Sequence, residues 1–404
     1  MNIQNKNIVL HLSLIYGVGP AVVAKIIVYI IQRTHPDLIH NGTLDFGLLN
    51  DKEKEINLSI IYTYTINDFV QNIGLPVKIA QLLVDGLADT KKLDDECALI
   101  QQYSIDLLTI FDQTYPESLR QIHYPPLVLY CKGSPLEGPL EKTEKRMAIV
   151  GSRKASGYSQ QVIETLVPDL IAHDWTIVSG GAEGVDSMAH QATLDNKGKT
   201  IVVLGSGLLQ PYPESNKELF KSVIRNGGTL VTSFSLNTPP DRHNFPARNR
   251  IIAGLSQGCV VVQAAEKSGA LITAKYALEQ GRQIFAVPGS IFEPLSAGCH
   301  TLLTQGAKLV NNTGDILEEF GVIKQATKPK VRVQVSKNIV NNARLTLKSV
   351  KNQDPVLQLL DFACTIDELS DKTGLSLPEL HNKLFELQLE GKVRQTFSGA
   401  WEQC

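Results

Sequence analysis

One alternation constrains this chain more than any other feature. Between Met147 and Val310, short apolar runs end in turns of small residues, and helically spaced stretches follow most of them. Met147-Ala-Ile-Val150 runs into Gly151-Ser-Arg-Lys154, then a helix-like segment at about 158–172. Thr176-Ile-Val178 leads into Ser179-Gly-Gly181 and a helix-like stretch at 185–194. Ile201-Val-Val-Leu204 precedes Gly205-Ser-Gly207. Cys259-Val-Val-Val262 comes before Ser268-Gly269 and a helix-like 271–280, and Gln283-Ile-Phe-Ala-Val287 ends in Pro288-Gly-Ser290. Strands that are apolar throughout belong to parallel sheets covered on both faces. Their alternation with helices predicts an α/β fold with a doubly wound parallel sheet. Such sheets bind ligands at the carboxyl ends of their strands. Here those ends carry Gly, Ser and Arg, which suits a ligand with phosphates.

A length of 404 residues leaves room for two or three domains. A hydrophobic share of 43% and a charged share of 20% describe a globular chain, and no apolar run approaches the roughly 18 to 20 residues that span a bilayer. A net charge of −2 gives no global sign of a polyanionic partner, so such a partner must meet a local basic patch. Six scattered cysteines without a C-x-x-C pair argue for reduced thiols in a cytoplasmic protein and against a zinc site. No secretory signal pattern is read at the N-terminus.

The flanks differ from the centre. Residues 1–100 read as helical. Leu12-Ser-Leu-Ile-Tyr-Gly-Val-Gly-Pro20 has the form of a helix-hairpin-helix, with Gly17 and Gly19 in the turn and Pro20 in the first turn of the second helix. That is either a phosphate contact or an ordinary helical hairpin. Asn72-Ile-Gly-Leu-Pro76 is a weaker second hairpin with acidic neighbours. Residues 101–145 form a bridge with proline turns, a short strand around Tyr124-Pro-Pro-Leu-Val-Leu-Tyr130 and a polar linker. The central domain is 146–320. Residues 321–353 read as a basic linker: Lys324, Lys328, Lys330, Arg332, Lys337, Arg344, Lys348 and Lys351 stand there without Asp or Glu from 323 to 352. Residues 354–404 have the pattern of a small winged helix, with a first helix at 356–362, a capping box at Thr365 and Glu368, and an amphipathic helix at 377–389. Its Glu379, Glu386 and Glu390 make that helix a poor DNA reader.

Three constellations carry the candidate chemistry. Gly151-Ser152-Arg153-Lys154 sits where the first strand ends. Small residues let backbone amides approach an anion, a helix N-terminus adds positive potential, and Arg153 adds a charge-assisted contact. Arg242-His-Asn-Phe245-Pro-Ala-Arg248-Asn249-Arg250 combines cations with stacking surfaces, the composition used to hold single-stranded nucleic acid. The alternative is structural, with Arg248 and Arg250 paired to acids and Phe245 in the core, and part of the run is expected to be so because Arg-Asn-Arg leads into the apolar Ile251-Ile-Ala-Gly254. Ser268-Gly269 opens a helix and is either a further phosphate contact or simply an N-cap. The spacing from Gly151 to Gly157 is not G-x-G-x-x-G, and there is no G-K-[ST], so no nucleotide cofactor is expected. Asp186 and His190 stand four residues apart on one helix, where a structural hydrogen bond explains them. No nucleophile elbow, carboxylate pair or metal-ligand spacing appears.

Taken together, these residues resemble the DNA-processing protein A family, also called DprA or Smf. The resemblance runs through Gly151-Ser-Arg153, Val178-Ser-Gly180, Gly184-Val-Asp186, Tyr212-Pro213, Phe245-Pro-Ala-Arg-Asn-Arg-Ile-Ile-Ala-Gly254, Ser268-Gly-Ala-Leu-Ile-Thr-Ala274 and Val287-Pro-Gly-Ser290. It implies a Rossmann-like central sheet, a sterile-alpha-motif-like N-terminal domain and a C-terminal winged helix. It further implies a cytoplasmic, non-catalytic mediator, without cofactor, that binds single-stranded DNA and loads the RecA recombinase during natural transformation. Single-strand-binding protein is implied as a second partner. Carried over, the DNA site is Arg153 first, then Lys154, Ser179, Gly180, Phe245, Arg248 and Arg250. A homodimer is implied, with Leu302, Leu303 and Leu309 as its expected contact. Ala270 stands where the family's pattern has Ser, and Gln263 where it has Glu. The alternative enzyme class, phosphoribohydrolases that cleave nucleoside monophosphates, requires P-G-G-x-G-T-x-x-E, and Ser268-Gly-Ala-Leu-Ile-Thr273 lacks both its glycine run and its Glu.

Overall fold

The computed structural model describes residues 3–40, 43–44, 56–136, 145–322, 356, 366–390, 392–395 and 401–403. Residues 323–353 of the basic linker, 357–362 of the expected first helix and Thr365 of the expected capping box lie outside them. Two compact units are present, Met1–Lys324 and Gln325–Cys404.

The first unit is built on a nine-stranded sheet. Its strands are β1 Asp106–Thr109, β2 Val128–Gly133, β3 Lys145–Val150, β4 Trp175–Ser179, β5 Thr200–Val203, β6 Thr229–Thr232, β7 Gly258–Val261, β8 Gln283–Ala286 and β9 Lys308–Leu309. Their order is β9-β8-β7-β3-β4-β5-β6-β2-β1. From β9 to β6 every pairing is parallel, whereas β2 and β1 add to the far edge antiparallel. The expected doubly wound sheet is therefore present. The bridge supplies two strands at this end of the sheet, β2 inside and β1 at the edge, because Val128-Leu-Tyr-Cys131 is buried throughout and needs a partner on each side.

The alternation along β3 explains the two layers. Met147 and Ile149 join one apolar cluster with Ile163, Val167, Trp175 and Phe285, while Ala148 and Val150 join the other with Val178, Val203, Ile251 and Ile252. Successive side chains of a strand point to opposite faces. Two helices, α1 Gly157–Ala172 and α2 Val185–Asp195, cover the first face. Two more, α3 Asn244–Leu255 and α4 Gly269–Glu279, cover the second. Strand order reverses between β3 and β7. That is the topological switch point, where the crevice for a ligand opens in such sheets.

The helical N-terminal region packs on the second face and shares its cluster, from Ile8 to Leu87. The buried Glu96 carboxylate accepts from the Leu236 amide at 2.8 Å, and Lys6 pairs with Asp112 at 3.1 Å, so polar contacts also cross this junction. The expected hairpin forms between the helices Ile3–Leu14 and Pro20–Thr34. Gly17 has φ +83° there, and Pro20 is the first helical residue. Lys25 Nζ donates to Gly74 O at 3.1 Å, which joins it to the second hairpin. In the second unit, Ile366–Thr373, Leu377–Leu389 and a ladder of Val393–Gln395 on Trp401–Gln403 surround Leu380, Leu384 and Trp401. A capping box does occur here, formed by Ser376 and Glu379.

Asp186 and His190 are both buried, but each has its own partner. Asp186 accepts from the amides of Gly180 and Ala182. His190 Nδ1 meets Thr200 Oγ1 at 2.7 Å, and Thr200 gives its own proton to Ile177 O, so the imidazole donates through Nδ1. Nε2 is left buried without a partner. Burial, with Arg248 nearby, holds the imidazole neutral and lowers its pKa to about 3. That value lies below the 6.5 of an exposed His, so the unfolded chain takes up the proton first. The stability contributed by neutral His190 is complete above pH 6.5 and falls away as pH drops toward 3. Urea titrations from pH 7 to 4 should therefore show the parent losing roughly a few kcal/mol relative to His190→Gln. Parallel pH profiles for the two proteins would contradict this.

Candidate nucleic-acid interface

The turn after β3 is assembled from backbone contacts. Ser152 N donates to Gln263 O at 2.7 Å and Val185 N donates to Ser152 O at 3.1 Å, so the turns after β3, β4 and β7 are stitched together. A Cβ on Gly151 would stand 2.6 Å from Val185 Cγ2 and 2.9 Å from Gln263 O, which requires glycine there. Ser152 is itself buried, and its Oγ accepts from Lys154 N at 3.0 Å. Arg153 and Lys154 are exposed.

Gln263, buried at the end of β7, accepts through Oε1 from Ser156 N, Ser156 Oγ and Ser159 Oγ. It fastens the start of α1. The exchange of Glu for Gln read in the sequence thus falls on an internal acceptor rather than on the ligand-facing surface, and the carbonyl oxygen suffices for that task.

The second constellation is mostly helical, from Asn244 onward. Residues 244–255 form α3, with Pro246 in its first turn, where a missing amide proton is harmless. Helical geometry separates Arg248 from Arg250. Arg248 is buried, and its Nη1 donates to the carbonyls of Gly180 and Val203 at the ends of β4 and β5. Its Nε donates to Asn249 Oδ1 at 3.1 Å. Burial lowers its pKa to about 10, opposed by the Asp186 carboxylate, and the guanidinium stays protonated at neutral pH. Burial likewise raises the Asp186 pKa, while Arg248 and the amides of Ala182 and Gly180 favour its ionised form. We read the two as a cation and an anion, because each group has polar partners directed at its charged form.

Two residues on from Arg248, roughly 200° around the helix, Arg250 faces the bridge and donates to His123 O at 3.5 Å. It does not line the cavity at this end of the sheet, and neither do Ser179 and Gly180. Arg242, exposed ahead of the helix, does line it. Two cations approach Phe245, with Arg153 Cζ 5.4 Å and Arg248 Cζ 5.9 Å from its ring centroid. Asn249 bridges to Gly269 O at 3.4 Å, so it ties α3 to α4. Ser179 is fully buried and gives its hydroxyl proton to Ile149 O. Gly180 leaves the space that Arg248 and Asp186 occupy, since a Cβ would lie 2.6 Å from Arg248 Cζ and 2.7 Å from Asp186 Oδ2. Ser268 caps α4 by accepting from Ala270 N at 3.3 Å.

The result is a cavity of about 610 Å³ at the switch point. It is lined by Gly151, Ser152, Arg153 and Lys154 on one side, Arg242, Phe245, Arg248 and Asn249 on another, and Ser268, Gly269 and Ala270 on the third. Among the described residues, no group of His, Cys, Asp and Glu could hold a metal ion. None of their helices is long and apolar enough to cross a membrane. Leu302 and Leu303 are half-buried against the core, and Leu309 is 42% exposed on the edge strand β9.

The fold and this cationic shelf define an α/β protein with a doubly wound sheet and exposed cations at the carboxyl ends of its strands. The family described as DNA recombination-mediator protein A matches residues 106–321, and a DprA winged helix domain matches residues 344–396. The chain belongs to that family. It is similar to the DNA processing protein DprA of Bacillus subtilis, 41% identical over 57% of this chain and 76% of the relative. It is also similar to Protein Smf of Escherichia coli, 35% identical over 80% and 84%. The solved structure of DNA processing protein A from Streptococcus pneumoniae superposes with a TM-score of 0.54 at 34% identity, covering 67% of this chain and 96% of that one.

If Arg248 is an internal strut, removing it leaves the buried Asp186 without its cation. Arg248→Met should lower stability by about 3 to 5 kcal/mol in urea unfolding. A variant as stable as the parent would show that the guanidinium is not structural.

Proposed function

We propose that this protein is a non-catalytic recombination mediator that holds single-stranded DNA across the carboxyl ends of β3, β4 and β5 and presents it to the RecA recombinase during natural transformation. Phosphates sit on the Gly151–Lys154 turn, with Arg153, Lys154 and Arg242 as the working cations, and Phe245 offers a ring for an unpaired base. Ser179, Gly180, Arg248 and Asn249 shape this shelf from beneath, and Ser268 and Gly269 close its third side. The observation that carries the reading is the exposed Arg153 beside the Phe245 ring, 5.4 Å from its centroid, on a cavity lined by Gly151, Ser152, Lys154, Arg242, Ser268 and Gly269.

A polynucleotide rather than a mononucleotide is favoured because the cations lie along an open rim and the buried titratable groups, Asp186 and His190, are already engaged internally. The same engagement leaves no acid–base pair to drive bond cleavage. A homodimer through Leu309 and its neighbours Leu302 and Leu303, a role beside single-strand-binding protein, and a cytoplasmic location complete the reading.

Titrations on single strands test it. Affinity should fall steeply with salt, since bound cations displace counterions from the backbone. Arg153→Ala should weaken binding to every sequence alike and reduce the slope of log affinity against log salt by about 1. Its melting temperature should match the parent's, because the side chain is exposed. A variant with parental affinity at matched salt would remove the site assignment.

A further inference from the structure

One exposed cation of the cavity, Arg242, comes from the segment 233–243 that joins β6 to α3. That segment is neither strand nor helix, yet its middle is fixed. Leu236 is fully buried. Its carbonyl accepts from Leu209 N at 3.0 Å, and Gly207 N donates to Thr238 O at 2.9 Å, so this turn lies against the loop after β5. Gly207 must lack a side chain there, since a Cβ would stand 2.1 Å from Leu236 O. The Ser235 and Thr238 hydroxyls meet at 2.8 Å and close the turn on itself. From Thr238, only Pro239, Pro240 and Asp241 intervene before Arg242. Both prolines are exposed, and each fixes its own φ, so a short stiff strut runs from the anchored turn to the cation. Asp241 ends the strut by accepting from His243 N at 2.8 Å through its carboxylate and from Asn244 N at 3.0 Å through its carbonyl.

One anchor of this turn comes from outside the sheet. Glu96, on the helix Thr90–Gln102 of the N-terminal region, is buried and accepts from Leu236 N at 2.8 Å. The same carboxylate lies near the buried Tyr130 hydroxyl of β2, whose pKa is raised by burial and then by that negative charge. Burying a carboxylate is costly, and an apolar side chain would fill the place without that cost. What the carboxylate supplies is a fixed acceptor for a backbone amide 140 residues along the chain. We propose that Glu96 is a positioning residue for DNA binding: by holding Leu236 it fixes the strut, and through the strut it sets the place of Arg242 on the shelf. Glu96 touches no nucleotide itself. The helical N-terminal region is thereby tied to the affinity of the central sheet for its ligand. The inference rests on the reading of the shelf as a single-strand binder.

A double-mutant cycle on the full chain tests the coupling, with oligothymidine titrated across salt by fluorescence anisotropy. Arg242→Ala should weaken binding and reduce the slope of log affinity against log salt by about 1. Glu96→Ala should weaken binding several-fold and lower the slope in the same direction. Glu96→Gln, whose carboxamide oxygen still accepts from Leu236 N, should bind like the parent. In the Arg242→Ala background, Glu96→Ala should cause no further loss, because the cation it places is gone. A merely structural role would cost the same in both backgrounds. Pro239→Gly combined with Pro240→Gly loosens the strut outside the core and should reproduce the loss seen with Glu96→Ala. The positioning role is overturned if folded Glu96→Ala keeps parental affinity, or if its loss persists undiminished without Arg242. Should Glu96→Ala fail to fold, parental binding by the double-glycine variant overturns it instead. Parental binding by Arg242→Ala would also remove it, while Arg153→Ala judges the shelf separately.

Discussion

A buried cation holds the mouth of this sheet in shape. Arg248 reaches from α3 across the ends of β4 and β5 and donates to the carbonyls of Gly180 and Val203, while Asp186, from the first turn of α2, takes the amides of Gly180 and Ala182. Strand ends in a parallel sheet leave carbonyls and amides without ladder partners, and a buried unpaired group costs about 1 to 3 kcal/mol. Here one guanidinium and one carboxylate satisfy several at once, and the opposed charges keep each other ionised in a dry setting. Gly180 must lack a side chain for the pair to fit. Phe245, resting beside the guanidinium, owes its position to the same arrangement.

This arrangement divides the cations into two kinds. Arg248 is spent inside the protein, where its hydrogen bonds are already directed at backbone oxygens. Arg153, Lys154 and Arg242 stand in water with their charge available. A net charge of −2 for the whole chain is then no obstacle to a polyanion, because the field that matters is local, set by three exposed cations over a floor of small residues. The cost of creating that floor is borne by glycines and by tight backbone stitching between Ser152, Gln263 and Val185.

How much of this could be read from the chain depends on how local the signal is. The strands β3, β4, β5, β7 and β8 were legible because each is an apolar run stopped by small residues, and so were the helices that follow three of them. β6 was not, since Thr229-Leu-Val-Thr232 offers only two apolar residues between threonines, and its burial comes from neighbours on either side. The helix α3 was hidden behind its own cations. Asn244-Phe-Pro-Ala-Arg-Asn-Arg250 lacks a capping side chain and an amphipathic face, although Pro246 and the buried Ile251, Ile252 and Leu255 were available as signals. Reading that stretch as a cluster put Arg248 and Arg250 in one site, when a helix sends them to different sides. The shelf residues Gly151 to Lys154 were legible because a glycine turn after a strand is a local device. The burial of Ser179, Arg248 and Asn249 was not, because it arises from contacts 20 to 68 residues away along the chain.

The account turns on the exposed turn after β3 meeting phosphate while the guanidinium beneath it stays engaged with the strand ends. A crystal structure of the full chain with a short oligodeoxynucleotide tests both halves in a single density map. The expected result is a phosphate within hydrogen-bond distance of the Gly151–Lys154 backbone and the Arg153 side chain, with Arg248 still on the carbonyls of Gly180 and Val203. A strand bound elsewhere on the chain, or an Arg248 swung out of the interior to meet it, would contradict the account.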